Sequence, residues 1–161
     1  MKFYTGVGSR NTPADVLALM ARLACKLRVT HRLRSGGAIG ADSAFERGAA
    51  GVADVFLAKH ATPEAIAIAA KFHPAWHRCK GYVQKLHGRN TFQVLGADLA
   101  TPSSFLVCWT RDGAISHTDR CYNTGGTGTA ISIADAHGVP VFNLARHDHR
   151  VRVEGFLSGG Q

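Results

Sequence analysis

The feature that most constrains this chain is a repeated local grammar, in which a short apolar segment meets a glycine-bearing turn and then an amphipathic helix. Lys2 to Gly8 reads as a buried first strand, followed by Ser9-Arg10-Asn11. Thr12 offers a cap, Pro13 suits a first helical position, and Asp15 stands near the capping-box position. Val16, Leu17, Met20, Leu23, Ala24 and Leu27 then recur at helical spacing. The pattern repeats with a strand from His31 to Arg34, a turn from Ser35 to Gly40, a small-residue helix from Ala41 to Ala50 and a strand from Asp54 to Lys59. Parallel strands need such crossover helices, so the expectation is a doubly wound α/β fold, with a mostly parallel sheet and helices on both faces.

The second half continues in kind. Thr62 to about Leu99 reads as helical, broken near Pro74, Gly81 and Gly88. Ser104 to Trp109 is a strongly apolar strand, and a polar loop leads to Asn123-Thr124-Gly125-Gly126-Thr127-Gly128-Thr129. A helix to about His137, a stop at Gly138 and a strand from Val139 to Leu144 follow. Beyond Asp148 the expectation is an add-on strand, with 153–161 as a loose tail. At 161 residues, with 45% hydrophobic content and no linker, the chain is read as a single domain, 1–161.

Composition narrows the function classes. No apolar run approaches the ~20 residues that span a bilayer, and no h-region opens the sequence. Cys25, Cys79, Cys108 and Cys121 form no CxxC pair and are expected as free thiols in a cytoplasmic protein. The formal charge of +8 favours phosphate-bearing partners through the field of the whole protein. Neither a P-loop nor a Gly-x-Ser-x-Gly elbow is present, which leaves NTPase and serine-hydrolase readings without support.

Three turns, Gly6 to Arg10, Ser35 to Gly40 and Thr124 to Thr129, each follow an expected strand and precede an expected helix. In an open parallel sheet they share the carboxyl edge, where free N–H groups and positive helix ends receive phosphate. The ligand-binding set read from them is Gly8, Ser9, Arg10, Ser35, Gly36, Gly37, Ala38, Asp42, Gly125, Gly126, Thr127, Gly128 and Thr129. Arg10 suits a bidentate phosphate clamp. Asp42 and Glu46, one turn apart, are candidates for ribose recognition and for orienting a ligand or water, and the only candidates for catalysis. Trp109 and Tyr122 could stack on a base. In His73-Pro74-Ala75-Trp76-His77-Arg78-Cys79 the His-x₃-His spacing suggests a metal, but Pro74 disturbs the helix that spacing needs; no metal is expected. His147-Asp148-His149 is read as a solvated turn.

Ser35-Gly36-Gly37-Ala38-Ile39-Gly40-Ala41-Asp42, with Gly8-Ser9-Arg10 before it, resembles the nucleotide-binding region of the DprA/Smf and LOG proteins, the Rossmann-like SLOG superfamily. Gly125-Gly126-Thr127-Gly128-Thr129 is similar to that group's second loop, written PGGxGTxxE in the LOG enzymes, and Arg89-Asn90 to an Arg-Asn pair in the helix before its fourth strand. The resemblance spans Lys2 to Leu144 and implies a Rossmann-like fold, a nucleotide ligand with no required cofactor, and a homo-oligomer, dimer or higher. Among its members are ssDNA-binding recombination mediators, nucleotide N-glycosidic hydrolases and sensors of ADP-ribose-type signals. Thr124 replaces the motif's proline, and Ser132 stands where LOG enzymes carry their glutamate. What remains resembles a compact stand-alone member of the kind often encoded by phages. The function expected from it is binding of the phosphate–ribose part of a nucleotide, for sensing or sequestration. DprA-like ssDNA binding and N-glycosidic hydrolysis are the alternatives.

Overall fold

In the computed structural model, which describes residues 1–159, five parallel strands form one sheet in the order β3-β2-β1-β4-β5. The strands are β1 (Lys2–Gly6), β2 (His31–Ser35), β3 (Ala53–Val55), β4 (Leu106–Cys108) and β5 (Val141–Asn143). The helices are α1 (Ala14–Leu27), α2 (Ala41–Ala49), α3 (Pro63–Ala70), α4 (Tyr82–Leu95), α5 (Thr127–Ala136) and α6 (His147–Ser158). The expected Rossmann-like α/β class is the observed one.

Strand alternation divides the interior in two. Tyr4, Leu33 and Val107 point to one face, packing with Val16, Met20 and Leu23 of α1 and Phe45 of α2. Leu106 and Cys108 point to the other, packing with Val94 and Leu95 of α4 and Ile131 and Ile133 of α5. Both faces are covered, yet only β4 is apolar throughout; β2 carries Arg32, Arg34 and Ser35 beside its single core residue Leu33.

Several local expectations shift. Apart from β2, which runs one residue further to Ser35, the regular strands are shorter than read, although ladder bonds continue past β1, from Val7 N to Val107 O and from Ser9 N to Trp109 O. The third strand stops at Val55, and Ala58–His60 is a 3₁₀ turn. Thr12 does not cap α1; its hydroxyl donates to Ser9 O, and Asp15 instead pairs with Arg150. Gly88 is no break but an interior residue of α4. A Cβ there would come within 2.6 Å of Ile66, so its bareness lets α3 and α4 approach closely.

The largest correction is at the C-terminus, where α6 replaces the add-on strand and the 153–161 tail up to Ser158; Gly160 and Gln161 lie outside the described residues. Its apolar pattern is too weak to announce a helix. What holds it is docking on α1: Val153 is buried, Lys26 donates to the Phe156 carbonyl at 2.5 Å, and Arg150 reaches Asp15 at 2.9 Å. His147-Asp148-His149 accordingly opens α6, with His149 Nδ1 accepting the Asn143 amide at 2.9 Å.

Candidate functional site

The strand order reverses between β1 and β4, whose pairing runs Thr5↔Leu106 and Gly6↔Val107. Ligands of open α/β sheets bind outside the carboxyl ends at such a point. A cleft of about 620 Å³ lies there. Gly8, Ser9 and Arg10 line it from the β1 side, Trp109 and Arg111 from the β4 side, and α4 and the approach to α5 complete its walls. Gly40, at φ +97°, abuts Arg10 Cα and Ser9 O so closely that a Cβ would stand 3.0 Å from each. The β1 and β2 turns therefore form one continuous wall.

The turn after β2 is held from beneath by the carboxylates read as ligand groups. Asp42 Oδ2 accepts the amides of both Gly36 and Ala38, each at 3.2 Å. Glu46 Oε1 accepts the Gly37 amide at 3.0 Å and the Ser35 hydroxyl at 2.6 Å. The N–H groups that the glycine pattern offers to phosphate are thus already satisfied within the protein. Ser35, Gly36, Gly37 and Glu46 do not line the cleft, Gly37 being exposed beside Val55 and Leu57, whereas Ala38 and Asp42 line it. Burial raises Asp42 to about 6, against the opposing pull of the Ala38 amide and the Arg89 charge. Its Oδ1 has no hydrogen-bond partner among the described residues.

Across Gly36 stand two residues of α4. Arg89 donates to the Gly36 carbonyl at 3.1 Å, while its buried Nε has no partner. Gln93 is fully buried, yet neither end of its side-chain amide is hydrogen-bonded within the protein. Both residues line the cleft. A buried amide left unmet costs roughly 1–3 kcal/mol, and Gln93 and Arg89 Nε are the polar groups of this wall that the protein leaves without a partner. Periodicity gave no sign of Gln93; its signal was only a polar residue within the apolar run ending α4.

One turn earlier, Asn90 Nδ2 donates to the Gly126 carbonyl at 3.2 Å, and His87 Nδ1 meets Thr129 Oγ1 at 2.9 Å. Burial first, with the charges of His73, Arg120 and Arg89 adding, holds His87 down at about 4, so it is neutral near pH 7. Gly125, Gly126 and Thr127 line the cleft at the start of α5. Gly128, backed by Arg120, and the buried Thr129 lie behind them. The Gly126 and Thr127 amides have no backbone acceptor in the first turn, which leaves them for an anion. Thr124 and Cys121 both donate to Asp112 Oδ2, tying this loop to the turn after β4.

Of the expected aromatics, Trp109 lies half-buried beside Gly8, and Tyr122 stands at the cleft mouth, 98% exposed. Ser132 is fully buried, its hydroxyl contacting His117 Nδ1 at 2.8 Å and accepting from Arg120 at 3.0 Å, and it does not line the cleft. His73 and Cys79 meet each other but not His77, which is exposed on the 3₁₀ turn Trp76–Arg78. Arg111, Asn123 and His87 also line the cleft without having been singled out by sequence.

An all-parallel sheet with crossover helices and a polar cleft at its switch point defines a Rossmann-like α/β protein. The chain matches no protein-family model, no curated protein and no solved structure. Among the described residues, all four cysteines are free and no helix is long and apolar enough to cross a membrane.

Proposed function

We propose that this protein binds a nucleotide by its phosphate–ribose part, in the manner of the SLOG proteins it resembles, with an ADP-ribose-derived signal as the preferred ligand class. The observation that carries the reading is the buried, unpartnered amide of Gln93, beside Arg89 Nε and the Asp42 carboxylate in the switch-point cleft. An amide and a carboxylate together match a vicinal diol, which both donates and accepts hydrogen bonds. The phosphate belongs at the start of α5, with Arg10 and Arg111 supplying charge, and not on the β2 turn, whose amides are occupied. Trp109 and Tyr122 offer faces to the base.

Binding without turnover is the favoured form. The LOG glutamate is absent, and Asp42 and Glu46 are engaged in holding a turn. A thermal-shift screen against ADP-ribose variants, cyclic dinucleotides, mononucleotides and short ssDNA, at low and moderate salt, tests this. A salt-insensitive shift with a small nucleotide, lost in Gln93→Leu, is expected. Stabilisation by ssDNA alone, fading steeply with salt, would replace the reading with DprA-like DNA binding. Release of free base would replace it with hydrolysis, and no shift with any nucleotide would remove it.

A further inference from the structure

We propose that His73, Cys79 and His87 form a zinc site that pins the connection between α3 and α4 to α4 itself. One ligand atom from each lies within 4.8 Å of the other two. Cys79 Sγ is 3.6 Å from His73 Nε2 and 3.8 Å from its Nδ1, and the two imidazole centroids are 4.5 Å apart. A tetrahedral zinc, with ~2.3 Å to sulfur and ~2.0–2.1 Å to nitrogen, holds a sulfur–nitrogen pair about 3.6 Å apart. Cys79 and His73 therefore already stand at coordination spacing, in a weak sulfur–imidazole contact that a metal would replace, with a His87 nitrogen within 4.8 Å of both.

The surroundings fit a metal ligand set. His87 Nδ1 is engaged by the Thr129 hydroxyl, which leaves Nε2 as the ligand nitrogen and orients the ring, as outer-shell partners of zinc-bound histidines do. Cys79 is 5% exposed, and Trp76 closes edge-on against both histidine rings. One thiolate with two imidazoles selects zinc over the oxygen-seeking magnesium and calcium. Three protein ligands leave a fourth position for water or an incoming ligand, and His87 also lines the cleft.

Loading has identifiable costs. His73 Nδ1 accepts the Ala75 amide at 3.0 Å, a contact given up whichever ring nitrogen takes the metal. The Cys79 thiol proton leaves to solvent, so one proton is released for each ion bound. Arg120 lies near enough to act on both imidazoles, and the thiolate charge offsets it.

Cobalt(II) titration of the purified, metal-free chain tests the site. Saturation at one equivalent is expected, with a thiolate-to-cobalt charge-transfer band and tetrahedral d–d bands, both bleached by added zinc. Cys79→Ser should abolish the charge-transfer band, and His73→Asn should weaken zinc binding at least ~10-fold, with far-ultraviolet circular dichroism confirming that both variants fold. A charge-transfer band surviving in Cys79→Ser would place the metal on Cys25 or Cys121 and overturn the proposal, as would no tetrahedral spectrum at all. The nucleotide thermal shift is a separate readout, so either proposal can fail alone.

Discussion

Asn90 on α4 donates its side-chain amide to the main-chain carbonyl of Gly126 at 3.2 Å, and so ties the central helix to the loop that opens α5. Together with the contact between His87 and Thr129 it fixes the spacing between the two walls of the cleft. His87 and Asn90 thereby position the anion-facing amides, while Arg89 and Gln93, interleaved with them along α4, address the opposite wall at Gly36.

Asn90→Ala should therefore weaken nucleotide binding out of proportion to its effect on folding. A net loss of about 0.5–1.5 kcal/mol in stability is expected for the missing hydrogen bond. Urea unfolding and calorimetric titration with the nucleotide found in the screen measure the two separately.

Gly36→Ala meets a crowded space. The new Cβ would stand 2.8 Å from Arg89 Nε and from Gln93 Nε2, and 2.9 Å from Asp42 Oδ2. Overpacking of this kind costs roughly 1–3 kcal/mol, and displacement of Gln93 should also lower ligand affinity. Chemical denaturation and a binding isotherm check both effects; unchanged affinity would take Gln93 out of the site.

Asp42 makes stability depend on pH in a defined sense. Its ordinary value is 3.8 and burial raises it to about 6. Between about pH 4 and about 6 the folded protein keeps a proton that the unfolded chain has released, so this contribution falls as pH rises through that window. Relative to Asp42→Asn, the wild type should lose stability across the window and run parallel to it above. Urea midpoints at a series of pH values, wild type against variant, give the difference directly.

Arg34 is buried, lies over the Phe3 ring at 4.0 Å, and donates to the carbonyls of Val94 and Thr101 and to the Ser103 hydroxyl. It serves as a cationic cap on the carbonyl end of α4. Arg34→Met leaves those acceptors unmet and should destabilise the protein by about 1–3 kcal/mol, read as a lowered urea midpoint with an unchanged slope.

Gly155 offers the opposite case. It lies inside α6, and a Cβ there would meet nothing within 4 Å. Gly155→Ala should raise stability by about 0.5–1 kcal/mol through helix propensity alone, seen as a higher thermal midpoint with ligand binding unaltered.

The βαβ order, the buried parallel sheet and the turns that carry the cleft are all readable along the chain, because strand burial and glycine placement are local properties of sequence. Gly8, Ser9, Arg10 and Asp42 reach the cleft for that reason, each at a fixed offset from a strand end, whereas Arg89 and Asn90, which also line it, are singled out by the resemblance alone. The partners of a polar group are a different matter. Whether the amides of Gly36 to Ala38 face a ligand or a carboxylate depends on how α2 turns its Asp42 and Glu46 beneath them. Likewise α6, with little amphipathic pattern of its own, exists because α1 supplies Asp15, Lys26 and a place for Val153. The replacement of His77 by His87 beside His73 and Cys79 follows from the packing of the α3–α4 connection onto α4. Local backbone preference and periodicity extend over a few residues, whereas hydrogen-bond satisfaction and metal-ligand spacing are set by segments that only folding brings together.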